Sequence, residues 1–300
     1  MGYKSIYRSD LFDGQVVVVT GGGSGIGRCA AHELASLGAT VAIVGRNPEK
    51  LNDVKAEIEG AGGKVSTWTC DIREEVRVTE TIDAVLARHG RIDGLVNNAG
   101  GQYRMPLEDI STRGFEAVVR NNLTGGFIFM RETFKRWMKD NGGSVVNMIA
   151  DIWGGWPNYA HSASARGGMW TLTQSAASEW ATYGVRVNAV APGGIASSGL
   201  DTYEPEAQRQ ILDFPKAVPL QRWGNASEIS SAIAYLLSPG AAYITGACIR
   251  IDGGAPNARV CWGPLRQECN SRPFDGFHLE APPKLLTEGP KAQSSRAPKV

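Results

Sequence analysis

The stretch Thr20-Gly21-Gly22-Gly23-Ser24-Gly25-Ile26-Gly27, "TGGGSGIG", decides how this chain is read. It follows "QVVVVT" (15–20), a run with the β-branched composition of a strand. After it comes "GIGRCAAHELASLG", in which Ile26, Ala30, Leu34 and Leu37 share one helical face. A glycine-rich turn between strand and helix has mechanical meaning. Gly21 allows the tight turn, Gly25 lets a pyrophosphate approach the backbone, and Gly27 lets the helix pack closely on the sheet. The unpaired N–H groups at the helix start then face the phosphates.

Working outward, further apolar runs alternate with helical stretches. "TVAIVG" (40–45) is the next strand, and Asn47 with Pro48 caps and opens a helix reaching about Glu59. "KVSTWTCD", "DGLVNNAG", "GGSVVNMIA", "GVRVNAVAP" and "GACIRIDGG" continue the series. Such strands, apolar almost throughout, indicate a parallel sheet covered on both faces. The expected fold is α/β, a single doubly wound Rossmann-type domain over residues 1–255 with a seven-stranded parallel sheet. Residues 256–300 are rich in proline and polar residues and are expected to form an irregular C-terminal tail, hugging the surface or partly disordered. Its aromatics Trp262, Phe274 and Phe277 leave room for the first part to pack on this subunit or a neighbour.

The composition excludes several classes. Hydrophobic residues make up 42% of the 300 and the formal charge is +1, so a packed globule is expected and neither nucleic acid nor an anionic membrane is implied as partner. No apolar run reaches the roughly 20 residues of a membrane helix, and "MGYKSIYRSDLFDG" has no apolar signal core, which makes cytoplasmic the expected location. The five cysteines (Cys29, Cys70, Cys248, Cys261, Cys269) are scattered and the four histidines lack ligand spacing, so neither a disulfide scaffold nor a metal site is expected. Cys29 and Cys70 read as buried apolar residues.

The end of the second strand bears on the choice of nucleotide. An acid there would bond the adenosine ribose and repel a 2′-phosphate, but this chain has Gly45 followed by Arg46. A guanidinium without a neighbouring acid suits a phosphate, and Ser24 can add a hydroxyl, so NADP(H) is expected over NAD(H). Alternatively, Arg46 is a solvated charge at a loop start.

Together these motifs resemble those of the short-chain dehydrogenase/reductase family over roughly residues 10–255. The resemblance implies that Ile26 belongs to the phosphate turn. It also places Asp71 and Ile72 at the adenine and Asn98, Ala99 and Gly100 along the cofactor. "NLTG" puts Asn122 at the family's catalytic asparagine, and "APGGIASS" implies that Pro192, Gly193, Ile195 and Ser197 line the nicotinamide and phosphates. A homotetramer is implied as well, and the small residues at helical spacing in 167–181 suit close helix contact. "NGGSVVNMIA", "HSASARGG" and "LLSPGAAYITG" are similar to peroxisomal trans-2-enoyl-CoA and 2,4-dienoyl-CoA reductases, and to bacterial members labelled citronellol/citronellal dehydrogenases.

The family pattern is broken at "YAHSASAR" (159–166). In that pattern a tyrosine protonates a carbonyl oxygen, a lysine holds the ribose and lowers the tyrosine pKa, and a serine bonds the substrate oxygen. Here Ser162, Arg166 and Ala150 stand at those positions, and only Asn122 is kept. Arg166 can still hold ribose hydroxyls, but it cannot relay a proton. Ser162 offers a hydrogen bond without phenolic acidity. Reduction of a C=C bond beside a thioester needs donors at the enolate oxygen rather than a strong acid, and fits these substitutions better than carbonyl reduction.

Asp151, Tyr159 and His161 are possible assistants. Asp151 is the most pointed of them, because strand C-termini line the site in this architecture, although it also reads as a solvated loop acid. Tyr159 reads first as a surface or packing residue, and His161 equally as a cap or backbone contact. The segment 196–224 is expected to form a substrate lid, with Leu200, Tyr203, Ile211, Leu212, Phe214 and Trp223 offering apolar surface opposite Trp153 and Trp156. An amphipathic helix packing its apolar face would look the same.

The primary expectation is therefore an NADP(H)-dependent reductase of an enoyl-CoA-type acyl thioester with a medium-length or branched, isoprenoid chain. The alternatives are a citronellol-type alcohol/aldehyde dehydrogenase and a non-catalytic nucleotide-binding subunit.

Overall fold

In a computed structural model, residues 2–258, 265 and 270–290 are described. Trp262, Cys261 and Cys269 lie outside the described residues. The strand before the glycine turn, β1 (Val16–Thr20), is buried along its whole length. Its side chains alternate between two cores, Val17 and Val19 on one face and Val16 and Val18 on the other. The same double burial explains the unbroken apolar runs of β2 (Thr40–Gly45), β4 (Gly94–Asn97), β5 (Gly143–Met148) and β6 (Val185–Pro192). With β3 (Lys64–Thr69) and β7 (Cys248–Ile251) they form one seven-stranded sheet in the order β3-β2-β1-β4-β5-β6-β7. All pairings are parallel, for example Val17 opposite Val41 and Leu95 opposite Val145.

Helices α1 (Gly25–Ser36) and α2 (Pro48–Gly60) follow β1 and β2, and the Asn47 side chain caps α2 by accepting from the Glu49 and Lys50 N–H groups. Helix α3 (Glu75–His89) ends at Gly90, held in the left-handed region at φ +73°. The next helix is α4 (Thr112–Val119), π turns at Arg120–Thr124 and Phe134–Met138, α5 (Gly125–Thr133) between them, and the short α6 (Lys139–Asn141). Long α7 (Ala160–Trp180), lid helix α8 (Pro205–Asp213) and α9 (Ala226–Leu237) complete the domain. Leu34, Leu51, Ile229 and Ile233 fill one core and Ile82, Phe129, Met130 and Ala176 the other. Cys29 and Cys70 are buried, as expected. None of the described helices is long and apolar enough to cross a membrane.

Chain order reverses between β1 and β4, which opens a crevice beyond the strand C-termini.

Residues 270–290 run back over the domain and end in a short helix, α10 (Lys284–Glu288). Phe277 is buried beside Cys29 and Ala226, and Leu285 is buried too. Burying side chains of this size is worth about 1.5–3 kcal/mol each, which a polar-rich average composition conceals.

Candidate active site

The glycine turn is locked from two sides. Gly21 takes φ +68° and Gly25 +53°, conformations that favour glycine. A Cβ on Gly27 would sit 2.4 Å from the Gly21 carbonyl oxygen, so only glycine lets α1 approach this closely. Thr20 Oγ1 accepts from the N–H groups of both Asn98 and Ala99 at 3.0 Å, and Asn98 Nδ2 donates to the Thr20 carbonyl at 3.0 Å. The ends of β1 and β4 are thus fixed to each other. Gly25 and Gly27 shape the turn from behind, while Gly21, Gly23, Ser24 and Ile26 face a cavity of about 1360 Å³. Ser24 makes no side-chain cap and the first turn of α1 holds no acid, so its N–H groups remain suited to an anion.

Asp71, Ile72, Asn98, Ala99 and Gly100 continue the cavity wall, and Pro192, Gly193, Ile195 and Ser197 form the opposite side. The Asp71 carboxylate is gripped by Arg73, whose guanidinium and backbone N–H pull its pKa down to about 2. At the far end Gly45 and Arg46 are joined by Asn47 and Lys50. Lys50 is one turn into α2, a position its sequence context does not single out. A dinucleotide fits this arrangement: glycine turn and helix start for the pyrophosphate, two cations at the adenosine end, and volume left over for an acyl group.

The broken catalytic line folds as follows. Arg166 is buried, donates to the Met148 carbonyl at 2.6 Å, and keeps Nε without a partner. Burial lowers its pKa to about 10, so it stays charged at neutral pH. It reaches the cavity wall beside Gly100. Ser162, expected to meet the substrate, is fully buried and off the wall, with its hydroxyl donating to Gln102 Oε1 at 3.3 Å. Gln102 stands on the wall in its place.

Asn122, inside the first π turn, is also off the wall. It donates to the Gly101 and Val118 carbonyls at 2.7 and 2.9 Å and accepts from Gly101 N–H at 3.1 Å. It thereby holds the turn after β4, and its neighbour Asn121 lines the cavity instead. His161 is buried, accepts from Ser162 N–H at 2.9 Å and meets Tyr103 edge-on at 4.5 Å, a backbone contact rather than a place facing the cavity.

Asp151 and Tyr159 do reach the wall. The loop carrying them needs positive φ at Gly154, Gly155 and Asn158. Asp151 follows β5, its N–H bonds the Pro192 carbonyl at 3.0 Å, and its Oδ1 is buried without a partner. Burial first, then the negative charge of Asp252, raises its pKa. Tyr159 precedes α7, stacks on Trp156 and meets the Tyr203 ring. Burial and Tyr203 push its hydroxyl well above the usual phenol range, the opposite of an activated acid.

Across the cavity, Leu200, Tyr203, Ile211, Phe214 and Trp223 of the lid face inward. Leu212 does not line the cavity, and Trp153 stays outside under the Arg250 guanidinium at 5.2 Å. Trp156 alone of the loop tryptophans is on the wall.

A doubly wound sheet with this crevice and glycine turn is a dinucleotide-binding architecture. The chain belongs to the short-chain dehydrogenase/reductase family, matching over residues 21–256 the group described as enoyl-(acyl carrier protein) reductase. It is 37% identical over 243 residues to a probable 2,4-dienoyl-CoA reductase of Bacillus subtilis, covering 80% of this chain and 96% of that one. It is 36% identical over 253 residues to levodione reductase of Leifsonia aquatica, covering 81% and 94%. Among solved structures, a citronellol catabolism dehydrogenase of Pseudomonas aeruginosa is 54% identical with a TM-score of 0.77, covering 85% of this chain and all of that one.

Proposed function

We propose that this protein is an NADPH-dependent reductase of the C=C bond of a 2-enoyl thioester carrying a medium-length or branched, isoprenoid chain. The Asp151 carboxyl carries the reading: it lies on the cavity wall, has a raised pKa and keeps one buried oxygen unpartnered. Such a group is protonated more readily than an ordinary carboxyl and is suited to give a proton up in the site.

A carbonyl reduction needs its acid at the carbonyl oxygen, yet Ser162 is turned away and the Tyr159 phenol is made less acidic. A bound nicotinamide nucleotide would supply the hydride that adds to Cβ of an enoyl thioester. Charge then gathers on the thioester oxygen, where the Gln102 amide, oriented by Ser162, can donate. Asp151 delivers the proton to Cα. Arg166 holds the ribose side, and Arg46 with Lys50 favours the 2′-phosphate.

The apolar lid and the citronellol catabolism neighbour support a branched chain. That neighbour also motivates a second reading, oxidation of a terpenoid alcohol or aldehyde. The assembly we propose is a homotetramer, although Ala176 and Ala177, among the small residues of 167–181, pack against this chain's own sheet.

Following 340 nm absorbance with crotonyl-, 2-decenoyl- and β-methyl-branched 2-enoyl-CoA tests the function. NADPH consumption, fastest with a branched ester and slower with NADH, is expected. No change across the panel, together with alcohol-dependent NADP⁺ reduction, would replace this reading with the second.

A further inference from the structure

We propose that the C-terminal tail is a strap that fixes the substrate lid, with Asp201 as the positioning residue through which it acts. The lid leaves the domain through a zipped base: Ala196 N–H donates to the Gly224 carbonyl at 2.8 Å, and Gly224 N–H to the Gly194 carbonyl at 3.0 Å. Its second half is tied to the loop after β7, where Leu220 N–H meets the Gly253 carbonyl at 3.1 Å. The first half carries Leu200, Tyr203, Ala207 and Ile211 into the cavity.

Asp201 lies between two of these residues and points to the tail. Its Oδ1 accepts from Leu285 N–H at 2.8 Å and its Oδ2 from Lys284 N–H at 3.2 Å. These N–H groups belong to the first turn of α10, where a carboxylate makes charge-assisted bonds. Leu285 is 2% exposed, and α10 packs against both α8 and the Ser198–Thr202 turn.

The other end of the strap is anchored on the α1–α9 pair, which packs into one core. Ser227 Oγ donates to the Phe274 carbonyl at 2.5 Å and Ala226 N–H to Glu280 Oε1 at 3.1 Å. The buried Phe277 ring lies under the Arg28 guanidinium at 5.2 Å. Lys4 N–H joins the strap at the Gly276 carbonyl, 2.9 Å away. The strap therefore bridges the closely packed α1–α9 pair and the half-lid that lines the cavity.

It also lies outside the shared part of the family, whose match stops at residue 256. Placement of Leu200 and Tyr203, and with it the acyl chain accepted, is set by residues beyond the dehydrogenase domain. The consequence for acyl choice rests on the enoyl-thioester reading; the bracing of the lid does not.

Hydrogen exchange on the full NADPH-bound chain, with Asp201→Ala, Asp201→Asn and Leu285→Ala, tests the strap. Exchange in residues 198–213 is expected to rise about tenfold in both alanine variants and less in the asparagine one, with β1 and β5 amides unchanged. KM for the longest substrate should rise about fivefold, with kcat within about twofold. Lid exchange equal to wild type in both alanine variants, or an equal rise in the sheet, overturns the proposal. If no thioester is turned over, the enoyl reading fails and the exchange result still decides the strap.

Discussion

At the nucleotide end of the cavity, Thr20, Asn98 and the glycines satisfy one another's polar groups, and the backbone fits so closely that a single added carbon collides. At the substrate end, Asp151 Oδ1 and Arg166 Nε are buried without protein partners. Buried polar atoms are normally paired, because leaving one unpaired costs about 1–3 kcal/mol. The first region has its Thr20 and Asn98 side chains paired and offers the backbone N–H groups at the start of α1, whereas the second keeps side-chain bonding capacity for what it binds.

The largest effect is expected from breaking the nucleotide end. Gly27→Ala places a carbon 2.4 Å from the Gly21 oxygen and should cost about 3 kcal/mol of stability. Dinucleotide binding should weaken by about 100-fold or more. Thermal melting and calorimetric titration measure the two effects.

Next comes the reserve at the other end. Asp151→Asn should lower kcat about 100-fold and leave NADPH affinity unchanged. With Asp151 as the proposed acid, the wild-type rate should fall as pH rises through its elevated pKa, and the variant should lose that limb. Tyr159→Phe should stay within about threefold of wild type, since no activated phenol is used. A collapse on losing that hydroxyl would restore carbonyl chemistry.

Arg46→Ala and Lys50→Ala should each weaken NADPH binding by about tenfold and leave NADH unaffected, measured as the ratio of the two dissociation constants. The smallest effect concerns Asp71. Its pKa is lowered by Arg73 to about 2, so the pair's stabilisation is present above the ordinary value of 3.8 and is lost as pH falls toward 2. Because the pair is partly exposed, this amounts to no more than about 0.5 kcal/mol. Denaturant titrations of wild type and Asp71→Asn at pH 7 and pH 2 should converge at the lower pH.

The same contrast explains what could be read before folding. The β1–α1 turn, the seven strands and the Asn47 cap depend on local rules of glycine freedom, double-faced burial and helix capping, and residues near in sequence show them. Cavity placement depends on rotation within a turn. Asn121 and Asn122 are adjacent in the π turn, yet only Asn121 lines the cavity. Ser162 had the expected position but not the expected aim, because Gln102, 60 residues earlier, takes its hydroxyl. The docked tail depends on Phe277 and Leu285 finding partners far away in sequence, which average composition cannot reveal.

Turnover of a β-methyl-branched 2-enoyl-CoA with NADPH deuterated at the transferring position, with the label located by mass spectrometry and NMR, distinguishes hydride addition to a carbon–carbon double bond from addition to a carbonyl. One deuterium at Cβ of a saturated thioester is expected, formed about 100-fold more slowly by Asp151→Asn. Deuterium on a carbinol carbon, with the double bond intact, would contradict enoyl reduction.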